Sequence, residues 1–160
     1  MAEQIAAFDA ETEELAEALG DTDADLSFEL EHQLRDFIVA NLGSIEVNGR
    51  RLTLFRDQDG RTGREYPTGV GFVDILANDG DKNLYVFELK RARTADHTLG
   101  QVLRYMGWLQ RHVAEGREVH GVIVAKTLSA SLKYAVLATA NVTAFEYSIA
   151  FALHQADITI

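Results

Sequence analysis

Two carboxylates and a lysine carry the chemistry for which this chain is equipped: Asp74 in Gly-Phe-Val-Asp-Ile-Leu-Ala, and Glu88 and Lys90 in Leu-Tyr-Val-Phe-Glu-Leu-Lys. Both runs are apolar, β-branched and aromatic, so they read as strands in which a lone charge would be costly. The turn-forming cluster Asp79-Gly80-Asp81-Lys82 lies between them, which makes the pair a hairpin. Residues directly opposite in an antiparallel pair share a face, so a loop of three or five residues sets Asp74 against Glu88, whereas an even loop separates them. Glu88 and Lys90 then share that face and Leu89 turns away. Two carboxylates so close both stay ionised only with positive charge between them, and Mg²⁺ or Mn²⁺, which prefers oxygen ligands, suits the pair. The backbone carbonyl of Leu89 is a further candidate ligand, and Lys90 stands beside the ion rather than on it. Any one of these residues alone would more commonly be the solvated face of a half-buried sheet; the three together in apolar strands point to a divalent-metal site.

The elements that must position these residues follow from periodicity. Ser27 reads as an N-cap for a helix with the stripe Leu30, Leu34, Phe37, Ile38 and Ala40 to Leu42, stopped by Gly43. Off or beside that stripe, Glu31 is a candidate site residue, with an i, i+4 ion pair to Arg35 as its plainer alternative. Arg51 to Arg56 alternates as a first strand, and Tyr66-Pro67-Thr68-Gly69 reads as a loop entering the strand of Asp74. After Lys90, Thr94 is an expected N-cap of a helix reaching about Val113, with Leu99, Val102, Leu103, Met106 and Leu109 as its core face. Gln101, Arg104, Tyr105 and Trp108 share an adjoining face of that helix. Val119 to Ala125 should return parallel to the central strands, Ala130 to Ala140 is another helix, and Val142 to Leu153 a final strand or strand pair.

The segments Val-Asp-Ile-Leu-Ala-Asn-Asp, Val-Phe-Glu-Leu-Lys-Arg and Gly-Gln-Val-Leu-Arg-Tyr-Met-Gly-Trp resemble the PD-(D/E)xK nucleases, and within them the C-terminal nuclease domain of the NucS-type (EndoMS-type) DNA endonucleases. The resemblance runs from about Glu31 to Ala125. It implies an α/β, restriction-endonuclease-like core, a mixed central β-sheet flanked by helices. It also implies that Asp74 and Glu88 bind a divalent metal, that Lys90 orients or activates the attacking water, and that Gln101 and Tyr105 support the site, with Glu31 completing it. Val73 stands where the family name has Pro, a departure that leaves the ligands intact. The implied activity is hydrolysis of DNA phosphodiesters, with single-stranded, mismatched or branched DNA as substrate and a homodimer as the working unit. The separate N-terminal DNA-binding domain that such endonucleases carry has no counterpart here, so a protein partner supplying DNA binding is a further expectation.

Charge divides the chain. Of the formal net charge of -10, residues 1–27 carry nine acidic side chains and no Lys or Arg, leaving -1 for the rest. That segment reads as an acidic N-terminal helix ended by Gly20 and followed by a linker, with residues 28–160 as the nuclease-like domain. It is expected to pack on the domain or a second subunit, or to act as an acidic lid over a basic channel. Arg50, Arg51, Arg64, Arg91, Arg93 and Arg104 are candidate phosphate contacts. The absence of cysteine excludes a disulfide framework, a thiolate metal site and a Cys nucleophile, and no five-histidine spacing suits a metal. No run is apolar enough to span a membrane, so the cytoplasm is the expected location. The competing function is a non-cleaving domain of the same fold that acts through a protein partner.

Overall fold

The computed structural model describes residues 20–94, 97–150 and 152–159, with side chains from residue 30 onward and excluding 92–94. The expected acidic helix within 1–19 lies outside the described residues.

Helix α1 (Gly20–Ala40) is followed by a 3-10 turn (Leu42–Ser44) and two short strands, β1 (Glu46–Val47) and β2 (Arg50–Arg51). Asn48 and Gly49, at φ 51° and 75°, form the tight turn joining β1 to β2, the conformation an Asn-Gly pair favours. The remaining elements are β3 (Thr53–Leu54), β4 (Arg64–Thr68), β5 (Gly71–Asn78), β6 (Leu84–Thr94), α2 (His97–His112), β7 (Val119–Leu128), α3 (Ala130–Leu137) and β8 (Val142–Glu146). A six-stranded sheet runs β3-β5-β6-β7-β8, with β4 also on β5. The β3, β4 and β6 pairings with β5 are antiparallel, and β6, β7 and β8 are parallel to one another. This is the mixed sheet expected, and helices cover both its faces.

Alternation along β6 assigns the two cores. Leu84 and Val86 face α2 with Val102, Met106, Leu109 and Ile123, whereas Tyr85, Phe87 and Leu89 face α1 with Ile38, Leu42, Val122 and Val124. Strand β6 is thus apolar on both faces, as a strand between two helical layers must be.

Several boundaries differ from expectation. Residues 20–27, expected as a linker ending in a cap at Ser27, are helical from Gly20; helix propagation is cooperative and overrides the weak propensities of Gly, Asp and Ser. Thr94 is the last residue of β6, paired with Leu128 across a bulge after Lys90, and is no N-cap. The supposed loop at Tyr66 to Thr68 is β4, where Pro67 is tolerated because β4 is hydrogen-bonded only to β5 and its other edge needs no donor. Arg51 to Arg56 is interrupted at Leu52, whose side chain is only 1% exposed and marks the change from one sheet to the other. Leu103 is exposed rather than core, α3 ends at Leu137 rather than Ala140, and the last strand ends at Glu146. No described helix is long and apolar enough to cross a membrane.

Gly63, just before β4, ties the end of β3 to β5: its N–H donates to Phe55 O and its carbonyl accepts from Leu76 N–H, both at 2.7 Å. A Cβ there would lie 1.8 Å from Leu76 O. Gly63→Ala is therefore expected to destabilise by about 3 kcal/mol, the upper part of the overpacking range, in thermal or urea unfolding. A loss below about 0.5 kcal/mol, the scale of a neutral surface change, would show that this backbone contact is not held.

Candidate active site

The β5–β6 pairs run from Asn78↔Leu84 to Ile75↔Phe87, closing a five-residue loop, and the same register continued by one step sets Asp74 opposite Glu88. The strands part at that step. Instead of a further ladder pair, Asp74 Oδ2 accepts the Leu89 N–H at 2.7 Å. The carboxylate thus takes a β6 backbone donor that the ladder no longer engages, and this fixes its position between the strands. Lys90 Nζ lies 3.0 Å from Glu88 Oε1, as two residues on one face of a strand allow.

Helix α1 brings the third carboxylate. Glu31 Oε1 accepts the Arg91 N–H at 3.3 Å, and the Arg91 carbonyl accepts from Tyr147 Oη at 2.8 Å, so the end of β6 is held from both sides. One turn further along α1, Arg35 does not pair with Glu31. Its Nη1 contacts Glu65 Oε1 at 2.5 Å and its Nη2 lies 3.4 Å from Asp36 Oδ1. Glu65 lies between the β4–β5 pairs Arg64↔Ile75 and Tyr66↔Val73, hence opposite Asp74. Arg35 and Glu65 were not singled out by sequence reasoning; the only signal was the i, i+4 spacing of Arg35 from Glu31.

Electrostatics in this site are frustrated. Burial raises Asp74 above its ordinary value against the Leu89 N–H, Lys90 and Arg35, while the charge of Glu31 adds to the rise. Glu88 is 3% exposed. Burial, and then the charge of Asp74, raise it to about 7 in spite of Lys90. Burial opposes the charged form of Lys90, yet Glu88, Glu31 and Asp74 outweigh it and raise the lysine above its ordinary value. Near neutrality the cluster therefore holds a charged lysine and a glutamate poised to lose its proton.

The facing carboxylates of Asp74 and Glu88 form a donor set of oxygens alone, which fits a hard divalent cation. Among the described residues no three His, Cys, Asp or Glu side chains converge as a ready-made metal cluster. Glu31 stands within electrostatic reach of the pair, with Oε1 engaged by the Arg91 N–H.

The other candidates are placed as follows. Gln101 Nε2 donates to Tyr105 Oη at 3.3 Å, and that hydroxyl sits over the start of β5, where a Cβ on Gly71 (φ 129°) would approach it to 2.9 Å. The two therefore act together against the entrance to the Asp74 strand. Arg64 pairs with Asp36 beside the site. Arg50 and Arg51 are elsewhere, at the hairpin end and engaged with Asp81 at 2.5 Å and Glu46 at 3.4 Å. Asp79, 3% exposed, organises that end by accepting from Asp81 N–H, Asn83 N–H and Tyr85 Oη. Arg104 is exposed on α2, and the Arg93 side chain lies outside those described.

A mixed sheet that parts to admit two facing carboxylates, with a lysine on the same strand and a helix laying a third carboxylate alongside, is an α/β domain of endonuclease architecture. The chain belongs to the endonuclease NucS C-terminal domain family, whose family model matches residues 31–145. Endonuclease NucS of Thermococcus kodakarensis is 39% identical over 70 residues, 44% of this chain and 27% of that protein. Endonuclease NucS of Streptomyces griseus is 38% identical over 97 residues, 59% of this chain and 38% of that protein. Among solved structures, a repair endonuclease from Pyrococcus abyssi superposes with a TM-score of 0.57 at 26% identity, covering 74% of this chain and 46% of that one. An EndoMS-dsDNA2 complex gives 0.55 at 28% identity, with 74% and 44% covered. The chain thus spans less than half the length of these relatives.

A carboxyl raised on folding holds its proton longer in the folded state, so its contribution is fully present below the unfolded value and is lost as pH rises through the folded one. For Glu88 that window runs from 4.5 to about 7. In EDTA, thermal stability should fall across it, and Glu88→Gln should flatten the fall and be the more stable protein at pH 8. A wild type and Glu88→Gln with parallel pH profiles would show that Glu88 is ionised throughout.

Proposed function

We propose that this domain is a divalent-metal-dependent DNA nuclease of the PD-(D/E)xK type. The observation that carries the reading is the buried Glu88, raised to about 7, facing Asp74 and ion-paired at 3.0 Å with Lys90, in a chain of an endonuclease family. Asp74 and Glu88, with the Leu89 carbonyl, would hold Mg²⁺ or Mn²⁺. Bound there, such an ion polarises a phosphoryl oxygen and lowers the pKa of water.

The chain's own residues supply the rest. The Leu89 N–H orients Asp74, which keeps the carboxylate from turning toward solvent. Lys90, raised above its ordinary value and so charged at neutral pH, positions the attacking water and stabilises charge developing on the phosphoryl group. Glu31 adds negative charge that keeps Lys90 protonated. Gln101 and Tyr105 hold the strand entrance against α2. No covalent enzyme intermediate is required.

The substrate is DNA of single-stranded, mismatched or branched character. Double-stranded DNA is what the EndoMS-dsDNA2 structure contains, and it is extended to this chain by family likeness. A homodimer, one site per strand, is the working unit, and a partner or further segment supplies DNA affinity, because a net charge of -10 gives the chain little general attraction for phosphate.

The test is cleavage of labelled single-stranded, duplex, mismatched and forked DNA with Mg²⁺ or Mn²⁺. Cutting that depends on the metal and falls at least about 100-fold in Glu88→Gln and in Lys90→Ala is expected. Cutting unaffected by either substitution would remove the assigned site. No cutting of any substrate would favour a non-cleaving domain that works through a partner.

A further inference from the structure

We propose that Arg35 is a substrate-binding residue: its guanidinium takes a phosphodiester oxygen of nucleic acid beside the Asp74–Glu88 pair, and Glu65 occupies that guanidinium until the phosphate replaces it. The proposal rests on the nuclease reading above and names a residue through which the site grips its anionic substrate.

Four observations meet at Arg35. Its side chain is 11% exposed, so the cation is held in place rather than dispersed in solvent. Its charge reaches Asp74, where it opposes the rise caused by burial. Its Nε is buried without a hydrogen-bond acceptor among the described residues, so the guanidinium has a donor unused in the substrate-free protein. Its closest anion is the carboxylate of Glu65, at 2.5 Å, on the residue across the sheet from Asp74.

Glu65 is suited to yield. Its side chain is 51% exposed, so on leaving Arg35 the carboxylate passes into water at little cost. Its backbone is left-handed, φ 49°, at the second residue of β4. A residue other than glycine in that conformation is strained, and the strain falls at the position facing Asp74. His32 Nδ1 also lies 4.0 Å from the same carboxylate oxygen. A phosphodiester offers the guanidinium anionic oxygens that two N–H groups of the planar fork can take together, as they can those of a carboxylate.

The neighbouring pair repeats the logic more weakly. Arg64 is held by Asp36, itself 53% exposed, and Asp36 also touches Arg35. Two arginines and two exposed carboxylates therefore sit against the site, a neutral cluster that turns basic when its carboxylates are displaced.

The plain alternative is a strut that ties α1 to β4, and opposite mutational signs separate the two. Binding of a fluorescein-labelled duplex to the full chain is measured by anisotropy in EDTA over a salt series, with thermal unfolding of each variant alongside. Arg35→Gln should weaken binding about tenfold and reduce the slope of log affinity against log salt by about 1. Glu65→Gln should tighten binding several-fold, and that gain should vanish in the Arg35→Gln background. Glu118→Gln, which removes an exposed carboxylate 3.0 Å from His120, reports the effect of charge alone and should show no such gain.

Loss of thermal stability in both single variants with affinity unchanged would overturn the proposal in favour of the strut. So would a Glu65→Gln gain that survives without Arg35, since Glu65 would then be acting by simple repulsion. A wild type that neither binds DNA nor cuts it with Mg²⁺ or Mn²⁺ would overturn this proposal together with the nuclease reading. A wild type that binds and cuts while Arg35→Gln does neither less well would overturn this proposal alone.

Discussion

Everything in this domain is arranged around two carboxylates that repel each other. Asp74 and Glu88 face across the point where β5 and β6 part, and Glu88 is almost wholly removed from water. Ionised together and unassisted they would be untenable. The protein moderates the conflict by three local means: the Leu89 N–H donated to Asp74, the Lys90 ammonium at Glu88, and the proton that Glu88 retains near neutrality. On the proposed reading, a divalent cation between the two carboxylates would settle the conflict and would in turn bind an anionic substrate.

Such a conflict persists only if the surroundings cannot relax it. Strand β6 is clamped between antiparallel β5 and parallel β7, and its alternate residues enter separate apolar cores under α1 and α2. Glu88 cannot rotate to solvent without breaking that alternation. The ends of the site are pinned from outside the sheet: Tyr105 lies over Gly71 at the start of β5, and Glu31 and Tyr147 hold the two backbone polar groups of Arg91. The apolar layers therefore serve the site by rigidity, and α1 contributes charge from one of its faces while another packs the core.

How much of this was legible depends on the range of the interaction. The hairpin and the facing of Asp74 and Glu88 follow from strand parity and a five-residue loop, which are local. The shared side of Glu88 and Lys90, with Leu89 in the opposite core, follows from the same period. The parallel return of β7 after a helix followed from connection rules. Helix ends were less legible, because Ser27 and Thr94 have cap-forming side chains that a longer helix and a longer strand absorbed. The Asn48-Gly49 turn carried a local signal that was passed over. The arginines were the hardest to read, although Arg64 does lie beside the site. Which carboxylate each one meets depends on tertiary placement, so Arg50 and Arg51 turned out to be distant from the site while Arg35 stands within it.

On the proposed function, the Asp74–Glu88 pair holds a divalent cation. Calorimetric titration of Mn²⁺ into the wild type, Asp74→Asn and Glu88→Gln at pH 7.5 (about half a unit above the raised glutamate) tests it most directly, with circular dichroism confirming that each variant is folded. The account predicts saturable binding by the wild type that is lost in both variants. Equal binding by all three proteins, or no binding by a folded wild type, would contradict it.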